Sequence, residues 1–487
     1  MSFTKSMLLG SAAILATVVG AQAADLPSKK AAPATYVKIC DAYGAGFFYI
    51  PGSETCVRLG GYVRAEYQYV PGKATYSAKD GALQQASGAQ AETGFETRGR
   101  IDVDARTPTG MGVARTFVRL RGANTSGIRN TGIANNAAYA QSDASTTGVT
   151  IEAAMVQWAG FTFGVASENY AMMPSQFYNG NPWAGFPNGM KQLAYTAKLG
   201  DGISATVALE DRKDFGYDLT YSDRLQTAAN VVANIRLDQS WGFAAVHGIV
   251  GNNSLRSDYA TFSTPVGGFK SSTGAPEVKT TTLNQSDAST PTLGLNSPYD
   301  AKVGQSTFNA WAIGSTVNIK LPMIAAGDQM WITANYSHGI LGALLSSGGM
   351  SNLSTSSGRR LVGGVVRVDS NLIATSANTV GTVNGWNVAM AATHYWTKDW
   401  RSNVSVGYVE INPPTATAGT QWGKGQLTAV AGSLIYSPVA NLDIGLELQY
   451  GTLKNKIQNS TKAFVDAGSP GLSVNNITTK LRVERSF

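Results

Sequence analysis

From Phe95 to Arg106 the chain alternates, residue by residue, between small or apolar and charged side chains. Phe95, Thr97, Gly99, Ile101, Val103 and Ala105 take one parity; Glu96, Arg98, Arg100, Asp102, Asp104 and Arg106 take the other. Successive side chains of a strand point to opposite faces, so this is a strand with one apolar face and one fully charged face. A soluble sandwich alternates with its polar face towards bulk water. A transmembrane barrel alternates between lipid outside and a watery lumen inside.

The pattern recurs along the chain. In 58–69, Leu59, Gly61, Val63, Ala65, Tyr67 and Tyr69 oppose Arg58, Tyr62, Arg64, Glu66 and Gln68. In 442–450, Leu442, Ile444, Leu446, Leu448 and Tyr450 oppose Asp443, Glu447 and Gln449. The last segment sets Ile477, Thr479, Leu481, Val483 and Phe487 against Thr478, Lys480, Arg482 and Glu484, with Arg485 breaking the apolar parity. Counting in this way predicts sixteen strands: 57–70, 94–106, 112–122, 149–158, 160–168, 191–199, 203–212, 229–239, 241–251, 307–319, 329–338, 385–395, 401–411, 425–436, 441–450 and 475–487. The faces of the fourth, ninth and tenth differ least. Seven connections are short and alternate with eight mostly long ones, the outer-membrane pattern with short turns in the periplasm. So many long loops sit badly in a soluble domain. The expected fold is an all-β transmembrane antiparallel barrel over 57–487, closed because an open sheet edge in lipid leaves backbone groups without partners.

The N-terminus reads as an export signal over residues 1–23. Lys5 gives the positive region, Met7 to Gly20 the apolar core, and Ala21-Gln22-Ala23 an A-x-A cleavage site. Beyond it no run reaches the roughly 18 apolar residues of a spanning helix. The net charge of +7 falls to +6 without Lys5. The basic residues alternate within strands rather than forming a tail, which argues against nucleic acid as a partner. Cys40 and Cys56 are the two cysteines. In an exported chain they read as one disulfide, within a periplasmic segment at 24–56, closing a loop worth about 3 kcal/mol in the chain-entropy treatment. His247, His338 and His394 lie far from them, so no metal site is expected.

The stretches Ile39-Cys40-Asp41-Ala42-Tyr43-Gly44-Ala45-Gly46-Phe47-Phe48-Tyr49-Ile50-Pro51-Gly52 and Glu54-Thr55-Cys56-Val57-Arg58-Leu59-Gly60-Gly61-Tyr62-Val63-Arg64 resemble the N-terminus of alphaproteobacterial (rhizobial and Brucella-type) general porins. The resemblance extends over the chain through signal, paired cysteines, strand layout and terminal phenylalanine. It implies a homotrimeric, sixteen-stranded porin of the bacterial outer membrane, in contact with lipid and lipopolysaccharide. It also implies that Phe487 belongs to the signal read by the barrel-assembly machinery.

Neither a G-x-S-x-G elbow, a Walker A loop, an H-E-x-x-H pair nor a G-x-G-x-x-G turn occurs, and no enzymatic activity or cofactor is expected. The strand parities instead place Arg58, Arg64, Arg98, Arg100, Arg115, Arg119 and Arg121 on the inner wall of three neighbouring strands. On the lipid face such charges would cost roughly 2–4 kcal/mol each at midplane. Two readings stand: a basic patch that tunes which ions pass, or arginines neutralised by the inward acids Glu66, Glu96, Asp102 and Asp104. The third long loop, 169–190, is the expected constriction, with Pro174, Gln176, Phe177, Tyr178, Trp183 and Phe186 packed inside; the alternative is an exposed loop. It departs from the enterobacterial pattern, because Gln176 stands where a Pro-Glu-Phe motif has its acid and 169–190 contains no Asp or Glu. Glu168, or Asp211, Asp214, Asp218 and Asp223, are the possible substitutes. The expected function is passive diffusion of small hydrophilic solutes and ions, with weak anion preference. A substrate-specific channel and a surface adhesin or structural barrel are the competing functions.

Overall fold

The computed structural model describes residues 38–69, 93–126, 146–173, 189–211, 229–255, 259–265, 278–284, 306–344, 372–376, 379–414, 424–456 and 471–487. The signal at 1–23 and the stretch 24–37 lie outside the described residues. The chain forms a closed antiparallel barrel of sixteen strands. They are β1 (Cys56–Tyr69), β2 (Thr93–Thr109), β3 (Gly112–Thr125), β4 (Thr146–Trp158), β5 (Phe161–Ala166), β6 (Met190–Gly200), β7 (Ile203–Glu210) and β8 (Asn230–Gln239). There follow β9 (Gly242–Leu255), β10 (Ser306–Lys320), β11 (Gln329–His338), β12 (Asn384–Tyr395), β13 (Trp400–Asn412), β14 (Gly425–Val439), β15 (Leu442–Lys456) and β16 (Gly471–Ser486). Each expected strand is present within a few residues at its ends. β16 pairs with β1 from Tyr62↔Ser486 to Tyr69↔Thr479, which joins the last strand to the first.

The parity reading carries over to the faces. Leu59, Val63, Phe95, Ile101, Leu446, Leu448 and Leu481 are exposed outwards, where a bilayer would cover them. Aromatic side chains on that face gather near both rims. Trp311, Tyr336, Trp386 and Tyr450 lie towards the long loops; Trp158, Phe161, Trp241 and Trp400 lie towards the short turns. Two such girdles are the mark of a barrel spanning lipid. Arg485, the parity exception, sits at the short-turn rim and donates from Nη1 to the Ala440 carbonyl at 2.6 Å.

Two departures from strict alternation have physical causes. In β4 the pairing with β3 slips between Arg119 and Leu120, so Glu152 and Ala153 both turn inwards. A bulge of this kind inserts one residue and re-aims a side chain. In β6 to β14 the inward parity mixes apolar residues such as Ala194, Ala208, Val232, Ala245, Ile249, Ala310 and Ala312 with mostly uncharged polar ones such as Gln192, Asn234, Thr316 and Asn403. There the wall is covered from inside by loop segments, and the two faces of β9 and β10 therefore differ little in polarity.

Candidate functional site: the inner wall of the barrel

The inside of the barrel has two unlike halves. One, formed by β16 and β1 to β4, is charged. All seven expected arginines point inwards, and each stands within 4.0 Å of a carboxylate. Arg64 Nε lies 2.6 Å from Glu484 Oε2, Arg98 Nη2 2.7 Å from Glu96 Oε1, and Arg121 Nη1 3.0 Å from Glu152 Oε1. Arg119 grips Asp102 with two hydrogen bonds of 2.8 Å, and Arg100 Nε approaches the same carboxylate at 3.3 Å. Arg115 and Arg106 each bond both oxygens of Asp104, and Arg58 Nη2 lies 3.9 Å from it. Glu66 receives Lys480 at 3.1 Å and Arg482 at 2.6 Å.

The expected patch is thus an ion-paired lattice, and the picture of unpaired basic charge is corrected. Among the described residues, these pairs join ten cations (the seven, with Arg106, Lys480 and Arg482) to six carboxylates (Glu66, Glu96, Asp102, Asp104, Glu152 and Glu484). Apart from Glu484, at 22% against 14% for Arg64, the acids lie deeper than their partners: Asp104 is 1% exposed against 48% for Arg58, and Asp102 17% against 32% for Arg119. Charge in a wetted wall is tolerable because water and counter-charges replace the hydration that lipid would remove. Lys480, Arg482 and Glu484 follow from the alternation of β16, and Arg106 from that of β2. Glu152 did not, since the bulge changes its parity.

The other half is largely uncharged, a mixture of apolar and polar side chains lined by loops. After β5 the chain turns inwards. The Asn169 amide donates to Glu210 Oε1 at 2.9 Å, its Nδ2 donates to the same oxygen at 2.7 Å and to Gln192 Oε1 at 2.6 Å, and its carbonyl accepts from Asn234 Nδ2 at 2.9 Å. Tyr170, 1% exposed, packs edge-on against the inward-facing His247, ring centroids 4.6 Å apart. Burial pushes the Tyr170 hydroxyl well above its ordinary range, so it stays neutral. Met173 then joins Phe243, Trp331, Ala389, Val409 and Leu427 in one apolar cluster. Pro174, Gln176, Phe177, Tyr178, Trp183 and Phe186 lie outside the described residues, as do Asp214, Asp218 and Asp223. Asp211 pairs with Lys191 at 3.5 Å.

A second segment lies beside it. After β11, Leu341 and Leu344, both 1% exposed, enter the cluster that holds Met173, and the Leu344 carbonyl accepts from Asn387 Nδ2 of β12. Sequence reading missed this inward loop, although the apolar run Ile340-Leu341-Gly342-Ala343-Leu344-Leu345 within a long connection carries the signal.

At the short-turn end, Cys40 and Cys56 form the expected disulfide. Phe48 and Tyr49 make a two-residue strand on the edge of β1, where β16 has already ended, paired as Phe48↔Val57 and Tyr49↔Cys56. Cys40, Phe47 and Cys56 form a small buried cluster with Tyr43 and Tyr49 packed on it.

Comparison with known proteins agrees with this geometry. The sequence pattern of a porin subfamily matches residues 25–473. Porin Omp2b of Brucella suis biovar 1 (strain 1330) is 32% identical over 268 residues, which cover 53% of this chain and 67% of that protein. Porin Omp2b of Brucella abortus (strain 2308) matches to the same extent. Among solved structures, the outer membrane channel DcaP of Acinetobacter baumannii superposes with a TM-score of 0.53 at 15% identity, over 90% of this chain and 99% of that one, a likeness of fold.

Proposed function

The chain belongs to the porin subfamily and forms a multi-pass channel of the bacterial outer membrane, and from that premise we propose that its pore passes small hydrophilic solutes and ions by passive diffusion between the arginine wall and the inward loops. The family implies a channel rather than an enzyme. The observation that carries the proposal is the division of the inner wall: a charged half faces a largely uncharged half covered by loop residues such as Tyr170 and Met173. The loop 169–190 then serves as the constriction, and the exposed guanidiniums opposite it, such as Arg58 and Arg119 above their more buried carboxylates, favour anions weakly. The competing functions give different conductance. Liposome swelling with sugars of rising size should show a smooth size cutoff without saturation. A saturable rate for one solute would favour a specific channel, and the absence of swelling and conductance would favour an adhesin or structural barrel.

The proposed assembly is a homotrimer joined through the outer face of β1 to β3. On this face Gly99 and Gly122 lie directly opposite each other, with no atom within 4 Å of where a side chain would begin. Beside them Thr97 and Asn124 are exposed polar residues on a face that is elsewhere apolar. Small residues let backbones approach closely in lipid, and polar ones gain from a protein partner there. Light scattering of the detergent complex should give three chains, and Gly99→Leu should shift it towards one. The exposed ring of Phe487 at the periplasmic rim suits recognition by the assembly machinery.

A further inference from the structure

We propose that the disulfide-tied segment from Cys40 to Cys56 builds a second charge filter at the periplasmic mouth, holding Arg58, Arg106 and Arg115 over the one carboxylate of Asp104 so that the mouth attracts small inorganic anions such as phosphate. The inference rests on the porin reading but concerns a different element from the loop constriction.

The argument starts from parity. Cys56 opens β1 on the inward face, so the bridge to Cys40 draws the preceding chain to the inside of the barrel end. Gly46, with φ +88, adopts a conformation that side chains rarely allow, and the turn it makes delivers Phe47 to Arg58. The Phe47 ring, 2% exposed, lies 5.2 Å from the Arg58 guanidinium and 4.9 Å from that of Arg106; Tyr43 lies 5.6 Å from Arg106. An aromatic face attracts a cation and fixes where its plane lies. The segment therefore positions two arginines from one side while Asp104 holds them from the other.

The charge balance at this point is lopsided. Three guanidiniums share one carboxylate, and the carboxylate is 1% exposed whereas Arg58, Arg106 and Arg115 are 48%, 26% and 26% exposed. Water at the mouth meets cations with their counter-charge beneath them. Lys38, stacked 5.1 Å from Tyr49, adds a further cation, while Asp41 and Glu54 are exposed acids on the segment itself. The buried aromatic and disulfide cluster ties the segment to the end of β1.

The test uses the mature full-length channel in planar bilayers. Reversal potentials are read under KCl and potassium phosphate gradients for wild type, Phe47→Ala, Arg106→Gln, and the double variant Cys40→Ser with Cys56→Ser. The expected result is an anion-to-cation permeability ratio lowered about twofold or more in all three variants, with the effect shrinking as salt rises beyond 0.1 M. Conductance should rise in Phe47→Ala and in the double serine variant, where the mouth widens. Unchanged ratios in variants that still form channels overturn the proposal, as does a higher ratio, which would show that Asp41 and Glu54 dominate. Should the double serine variant fail to assemble, Phe47→Ala, which keeps the bridge, decides. A wild-type chain that conducts nothing would overturn the channel reading as well, so the two failures are distinct.

Discussion

Phe487 closes the barrel on Gly61. The Gly61 amide donates to the Phe487 carbonyl at 3.2 Å and the Phe487 amide donates to the Gly61 carbonyl at 3.1 Å, a reciprocal pair between Phe487 and the first half of β1. The approach requires glycine, since a side chain there would collide with the Arg100 carbonyl and the Phe487 ring. Closure leaves no sheet edge in lipid.

Gly61→Val should therefore damage assembly, and so should deletion of Phe487. Overpacking at a fixed backbone contact costs about 1–3 kcal/mol. Export should stay normal while the heat-modifiable form in the outer membrane falls for both variants. Normal surface levels of Gly61→Val would show that the closing contact is dispensable.

Glu66 is the centre of the most buried ion cluster, at 2% exposure between Lys480 and Arg482, which are 2% and 7% exposed. Removing one member of such a group leaves uncompensated charge and costs about 3–5 kcal/mol. Glu66→Gln should lower the urea midpoint of the folded barrel clearly, and Glu66→Gln with Lys480→Met should recover part of it. Equal midpoints for wild type and Glu66→Gln would mean that water already screens the cluster.

Asp328, in the turn before β11, accepts from His394 Nδ1 at 2.6 Å and from the Tyr395 amide at 2.8 Å. Burial opposes its charge, yet these donors prevail and hold the carboxyl below its usual range. A carboxylate lowered on folding contributes stability above its unfolded value of about 3.9, and that contribution is lost as pH falls through the folded value. Asp328→Asn should thus be less stable than wild type at pH 7, with the gap closing below about pH 4. A gap independent of pH would assign the loss to packing.

The strands were legible because lipid imposes alternation across its thickness: a charge on the outer face of β2 has nothing to offset it, so parity alone orients all seven arginines. What escaped was whatever the lumen hides from that rule. Ala194, Val232 and Ile249 point inwards yet are apolar, because loops cover them, and no local pattern tells a covered inner face from an outer one. Glu152 was missed for a local reason, the bulge. The partners of Arg64 and Arg121, Glu484 and Glu152, stand 420 and 31 residues away in sequence, and only barrel closure and strand register bring them together.

The latch of the third loop can be tested at Asn169 and Tyr170. Asn169 makes four hydrogen bonds to the wall and Tyr170 is almost fully buried beside His247. Truncating a buried aromatic costs about 3–5 kcal/mol, far more than a surface contact, so Tyr170→Ala should release the loop while the strands persist. Larger or noisier single-channel currents and a higher sugar cutoff are expected, with heat modifiability kept. Wild-type currents would show that residues beyond Met173 hold the loop by themselves.

Ion choice depends on the lattice of β1 to β4 and β16. Arg98 and Arg119 are each paired, but their guanidiniums are more exposed than the carboxylates they meet. Replacing both by glutamine removes two positive charges and leaves Glu96 without its 2.7 Å partner and Asp102 with Arg100 alone at 3.3 Å. Both changes favour cations. Under a KCl gradient the wild-type reversal potential should indicate weak anion preference, and Arg98→Gln with Arg119→Gln should move it towards cations, most strongly below the ~0.1 M at which the Debye length is about 10 Å. Strong cation selectivity in wild type, unmoved by the double substitution, would place control of ion choice outside this wall.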